Sequence, residues 1–65
     1  MTKDGFVIDM TKRFPGTDPA VIGKADTLSD VAIHLSERAP LTAEEARELV
    51  EAFYGDVDLS AMRAA

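Results

Sequence analysis

TLSDVAIHLSERAPLTAEEARELVEAFYG, residues 27–55, holds two amphipathic segments, each opened by its own start signal and separated by Ala39, Pro40 and Leu41. Thr27 with Asp30 three residues on resembles a capping arrangement, and Leu28, Val31, Ala32, Leu35 and Ala39 follow at helical spacing on one narrow face. Thr42 with Glu45 is the fuller form of that signal. There the Thr42 hydroxyl accepts from the Glu45 amide while the Glu45 carboxylate accepts from the Thr42 amide. The second segment stops at Gly55, a natural C-cap residue, and its apolar face is Ala46, Leu49, Val50 and Phe53, with Tyr54 at the edge. The expectation is an antiparallel hairpin of helices over 27–38 and 42–54.

Ahead of the hairpin, Asp18-Pro19 reads as a helix start, with Asp18 as N-cap and Pro19 at the first helical position, where its missing N–H costs nothing. That helix is short, because Gly23 weakens it and a new start signal arrives at Thr27; Val21 and Ile22 are its expected core residues. Further out, Phe6, Ile8 and Met10 alternate with Val7, Asp9 and Thr11, a period near two that predicts a short strand reaching towards Phe14. Pro15-Gly16 then ends regular structure. No sister strand is legible, so residues 1–16 are expected as an extended segment. It serves as an arm folded over the hairpin, as half of a homodimer ribbon, or as an edge offered to a partner. Residues 56–65 read as a tail or a short helix capped by Asp58. The predicted fold is therefore mostly α: one small domain, 1–65, with its helical core in 17–55.

A chain of 65 residues buries only about 60% of the surface its unfolded form exposes. A core of that size rarely supplies more than about 3–5 kcal/mol, so such chains lean on disulfides, metal or association. Cysteine is absent and histidine occurs once, which removes bridges and leaves carboxylates as the only further ligands for a structural zinc. Association is the support that remains.

Formal net charge is −5, and residues 37–58 carry essentially the whole excess, with seven acids against two bases. A surface of this sign repels phosphate backbones, which weighs against nucleic acid, and favours a basic protein surface. No segment approaches the roughly 18 apolar residues of a spanning helix, and the N-terminal residues lack the pattern of a secretory signal. A cytoplasmic protein without a membrane partner is expected.

No nucleophile is set against a base, the four glycines are too scattered to cradle phosphate, and no metal, cofactor or small-molecule motif is legible. His34 flanks the apolar stripe and reads as a surface or boundary histidine. A non-enzymatic protein is expected, a regulator, inhibitor or accessory subunit that acts by docking on another protein. Its candidate contact residues are Phe6, Ile8, Met10 and Phe14 on the N-terminal segment, Ile33 opposite the core face of the first hairpin helix, and the acidic row Glu44, Glu48 and Glu51. In one variant that row mimics nucleic-acid charge and occupies a basic groove, as small phage-type inhibitors do.

Two resemblances bear on the alternative of a dimeric DNA-binding regulator. Residues 31–53 resemble the N-terminal helical hairpin of the HU and integration-host-factor family, with Glu37-Arg38-Ala39 before the turn, Leu41-Thr42 at the second cap, then Ala46 and Ala52-Phe53. The likeness implies a dimerising helical scaffold, without the DNA-gripping β-arms of that family. The order of one strand followed by two helices also resembles ribbon-helix-helix proteins, in which Val7, Asp9, Thr11 and Arg13 would form the reading face.

Overall fold

In the computed structural model, which describes residues 2–62, four α-helices follow one another: α1 (Lys3–Arg13), α2 (Pro19–Lys24), α3 (Leu28–Arg38) and α4 (Ala43–Tyr54). A 3-10 turn, Leu59–Ala61, closes the described chain. The mostly α fold agrees with the expectation.

The N-terminal segment does not. Residues 3–13 form helix α1 where a strand was expected, and no strand occurs among the described residues. A lone strand would leave its backbone donors and acceptors unpaired, whereas a helix satisfies them within the segment. The start is local: the Thr2 hydroxyl accepts from the Gly5 amide at 3.0 Å, Asp4 lies in the first turn, and Lys12 and Arg13 lie in the last. Phe6 and Met10, four apart, are wholly buried, while Ile8 between them is 56% exposed. The period is helical and not two. The ribbon on which the ribbon-helix-helix likeness depends is therefore absent.

Helix α1 ends where the Phe14 amide donates to the Met10 carbonyl at 2.9 Å, and Gly16 takes the turn at φ 103°, a conformation that favours glycine. Asp18 then caps α2 by accepting from the Ala20 amide at 2.9 Å, with Pro19 in the first turn as expected. Ile22 is buried, but its predicted companion Val21 is 41% exposed, because six residues of helix present only one narrow face to the core. The Lys3 ammonium donates to the Ala25 carbonyl just past the end of α2, a cation placed where a helix leaves its carbonyls unpaired.

Thr27 caps α3 by accepting from the Asp30 amide at 3.2 Å, and the Asp30 carboxylate accepts from the Asp26 amide at 3.3 Å. Thr42 and Glu45 form both halves of the capping box, at 3.1 and 3.0 Å. Gly55 ends α4 at φ 76°. The Arg47 guanidinium donates to the Ser29 hydroxyl at 2.8 Å, tying the start of α3 to the middle of α4. Ile33, further along α3, shares a depression with Ala43 at the start of α4, so α4 runs back along α3, consistent with the expected hairpin. Asp58 caps the closing 3-10 turn, as expected, by accepting from the Ser60 amide at 3.1 Å.

The core is built from all these elements: Phe6 and Met10 of α1, Ile22 of α2, Leu28, Val31, Ala32 and Leu35 of α3, Ala46 and Val50 of α4, and Leu59. His34, expected at the boundary, is 5% exposed and belongs with them. Its Nε2 accepts from the Asp18 amide at 2.9 Å, so the buried imidazole ties α3 to the start of α2.

Candidate interaction surface

Helix α4 carries an apolar arc wider than the core can cover. Ala46 and Val50 are buried at its centre, while Leu49 on one flank is only half-buried and Phe53 is 49% exposed. Both had been expected in the core. Leu41, half-buried before the helix starts, and Ala52, exposed, extend the same flank, and with Glu45 and Glu48 they line a shallow groove of about 400 Å³ along α4. A second depression of about 340 Å³ lies between α3 and α4, lined by Ser29, Ala32, Ile33, Ala43, Glu44 and Arg47. Between the two run Glu44 and Glu48, four residues apart and both exposed.

The carboxylates of this face differ in what they already hold. Glu45 accepts from the Thr42 amide, and that bond keeps its carboxyl below the ordinary range. Glu51, half-buried, accepts from Arg47 Nε at 2.9 Å. Glu44 and Glu48 have no ion-pair partner among the described residues. Two like charges one turn apart cost a helix a few tenths of a kcal/mol, about 0.2–0.5. Glu44 recovers part of that through its place in the first turn, near the positive end of the helix dipole, whereas Glu48 lies beyond it.

Of the contact residues expected from the sequence, Phe6 and Met10 are wholly buried and serve the core. Phe14 is half-buried, with its ring 6.1 Å from that of Phe53 in edge-to-face packing. Ile8 is exposed, but it points away from the core face of α1 and lines neither groove. Ile33, 53% exposed, and Glu44 line the depression between α3 and α4, whereas Glu48 lines the α4 groove and Glu51 pairs with Arg47. Leu41, Leu49, Ala52 and Phe53 were missed as surface residues. The available signal was the breadth of the α4 stripe, since Leu49 and Phe53 sit on one side of the line through Ala46 and Val50.

At the far end of α4 a polar cluster closes on α1. The Tyr54 hydroxyl and Arg13 Nε both donate to Asp9 Oδ2, and the Arg13 guanidinium lies 4.4 Å from the centre of the Phe53 ring. The Tyr54 hydroxyl holds the Asp9 carboxyl below its ordinary value, with Arg13 adding to the effect. Burial first, then Asp9, push the Tyr54 phenol up to about 12. Both groups are thus moved away from neutrality, which suits a clamp and not proton transfer near pH 7. Asp26, Asp56 and Asp58 line a depression of about 230 Å³ that Arg47 also borders. No group of three or more metal-ligating side chains is assembled among the described residues.

No family model, no curated protein and no solved structure matches the chain. No helix among the described residues is long and apolar enough to cross a membrane.

Proposed function

We propose that this protein is a small acidic interaction module, a regulator, inhibitor or accessory subunit, that docks on a protein with basic side chains through the outer face of α4. The observation that carries this reading is the strip formed by half-buried Leu41 and Leu49 with exposed Ala52 and Phe53, bordered by Glu44 and Glu48, which have no ion-pair partner among the described residues. Single exposed apolar residues such as Ile8 or Val21 need no explanation, but Leu41, Leu49 and Ala52 lining one groove on so small a domain do. The acidic border sets the sign of the partner. Ile33 extends the same surface across the α3–α4 groove.

The reading is non-enzymatic. Its support is that the cluster of Asp9, Arg13 and Tyr54 between α1 and α4 is shifted away from neutrality throughout, Asp9 down through Tyr54 and then Arg13, Arg13 up through Asp9, and Tyr54 up through burial and then Asp9.

The test is capture of partners on immobilised protein, comparing the natural chain with Ala52→Arg and Ile8→Asp. Both positions are exposed, so both variants keep the fold. Loss of the captured protein with Ala52→Arg and its retention with Ile8→Asp is the expected result; the reverse pattern would refute docking through α4.

A further inference from the structure

We infer that the occupant of the α4 groove is a basic amphipathic helix, an inference that rests on the docking proposed above and names its partner's form and charge. Three observations converge on it. The groove follows a helix from Leu41 past Glu45, Glu48 and Leu49 to Ala52, and Glu45 to Ala52 alone spans about 10 Å at 1.5 Å per residue. That is two turns of a partner helix laid alongside, whose own i, i+3, i+4 and i+7 side chains match such a groove.

The backbone around the groove offers an extended peptide no sheet edge to join. An extended peptide binds tightly when it adds to a sheet edge, and no strand exists among the described residues. A helix pairs its own backbone groups and brings only side chains to the groove.

Charge then selects the partner's flank. Glu44 and Glu48 stand exposed beside the groove without ion pairs among the described residues, and the chain as a whole carries −5. Lysine or arginine on the edge of the incoming helix neutralises that row and relieves its internal repulsion. A second copy of this chain brings the opposite result. In a two-fold contact the same acidic-rimmed patch meets itself, and the one base of α4, Arg47, is already paired with Glu51, so a second copy brings no free cation of α4 to that rim.

The experiment titrates the isotope-labelled full chain with a synthetic helical peptide of about 14 residues, leucine on one face and lysine on the others, and follows backbone amide shifts. Two control peptides keep the length: one replaces lysine with glutamate, the other scrambles the order so that no apolar face forms. The expected result is saturable shifts confined to residues 41–53, absent with both controls and weakened about tenfold or more by Ala52→Arg or by Glu44→Gln with Glu48→Gln. Saturable shifts elsewhere on the surface, equal binding of the scrambled peptide, or no saturation with the lysine peptide would each overturn the inference. If the lysine peptide fails while capture of a whole protein still depends on Ala52, the helical occupant falls and docking through α4 stands. If capture is also indifferent to Ala52, both fall.

Discussion

The Tyr54 hydroxyl donates to the Asp9 carboxylate across 45 residues of chain, fastening the last turn of α4 to α1. Arg13 shares the same carboxylate oxygen at 3.0 Å and covers the Phe53 ring, while Phe6 packs edge-to-face on Tyr54 with ring centres 5.0 Å apart. This fastening positions the far end of the α4 face. It also has a pH signature. The Tyr54 phenol is raised in the folded chain, from 10.0 to about 12, so its contribution is full below the unfolded value and is lost as pH rises through that window. Asp9 is depressed, so its contribution is present above 3.8 and is lost as pH falls through its lower folded value. Tyr54→Phe is expected to lower the melting temperature at pH 7 and to flatten the alkaline decline relative to the natural chain. Thermal melts of the two proteins from neutral to strongly alkaline pH check this; parallel curves would contradict it.

His34 is expected to be structural. Its Nε2 is the acceptor for the Asp18 amide, and the side chain is 5% exposed, so His34→Ala removes that hydrogen bond, worth about 0.5–1.5 kcal/mol, and in addition empties a buried site. Urea denaturation measures the loss. Hydrogen exchange at the Asp18 amide is expected to accelerate more than exchange at Val50, which lies in the core away from that bond.

The helical register of α1 separates two neighbours sharply. Ile8→Asp, at an exposed position, is expected to change stability by less than about 0.5 kcal/mol, whereas Met10→Ala, at a wholly buried one, costs about 2–5 kcal/mol. A strand with Phe6, Ile8 and Met10 on one face would make both changes severe. Denaturation midpoints of the two variants distinguish the cases.

The caps of α3 and α4 were legible because each is a local contract between residues three apart, Thr27 with Asp30 and Thr42 with Glu45, and needs no tertiary partner. Helix α1 was not, because Phe6, Ile8 and Met10 fit a period of two over a span too short to exclude 3.6, and the cap at Thr2 lies before the apolar run began to count. His34 was misplaced since its partner, the Asp18 amide, is 16 residues away and comes within reach only once α2 packs on α3. On the candidate surface, the exposure of Ile33, Glu44 and Glu48 followed from the helical wheel alone. Leu49 and Phe53 did not: which side of the α4 stripe is covered depends on where α1 and Leu59 dock, and periodicity carries no information about that.

Self-association is the natural alternative use of an exposed apolar strip. Because a two-fold contact would join two copies of one acidic-rimmed patch whose single base, Arg47, is already paired, the protein is expected to remain a monomer of 7.0 kDa by light scattering across a hundredfold concentration range. A concentration-dependent rise to twice that mass would move the α4 face to a dimer interface.

The central claim, that α4 presents the docking face, is tested most directly by photo-crosslinking in extract of the source cells from a benzophenone side chain placed at position 52 and, separately, at position 8. Both sites are exposed, and only the first lines the groove. Docking through α4 predicts a discrete protein adduct from position 52 that Glu44→Lys with Glu48→Lys suppresses, and none from position 8. An adduct from position 8 alone, or one from position 52 that the charge reversals leave unchanged, would contradict it.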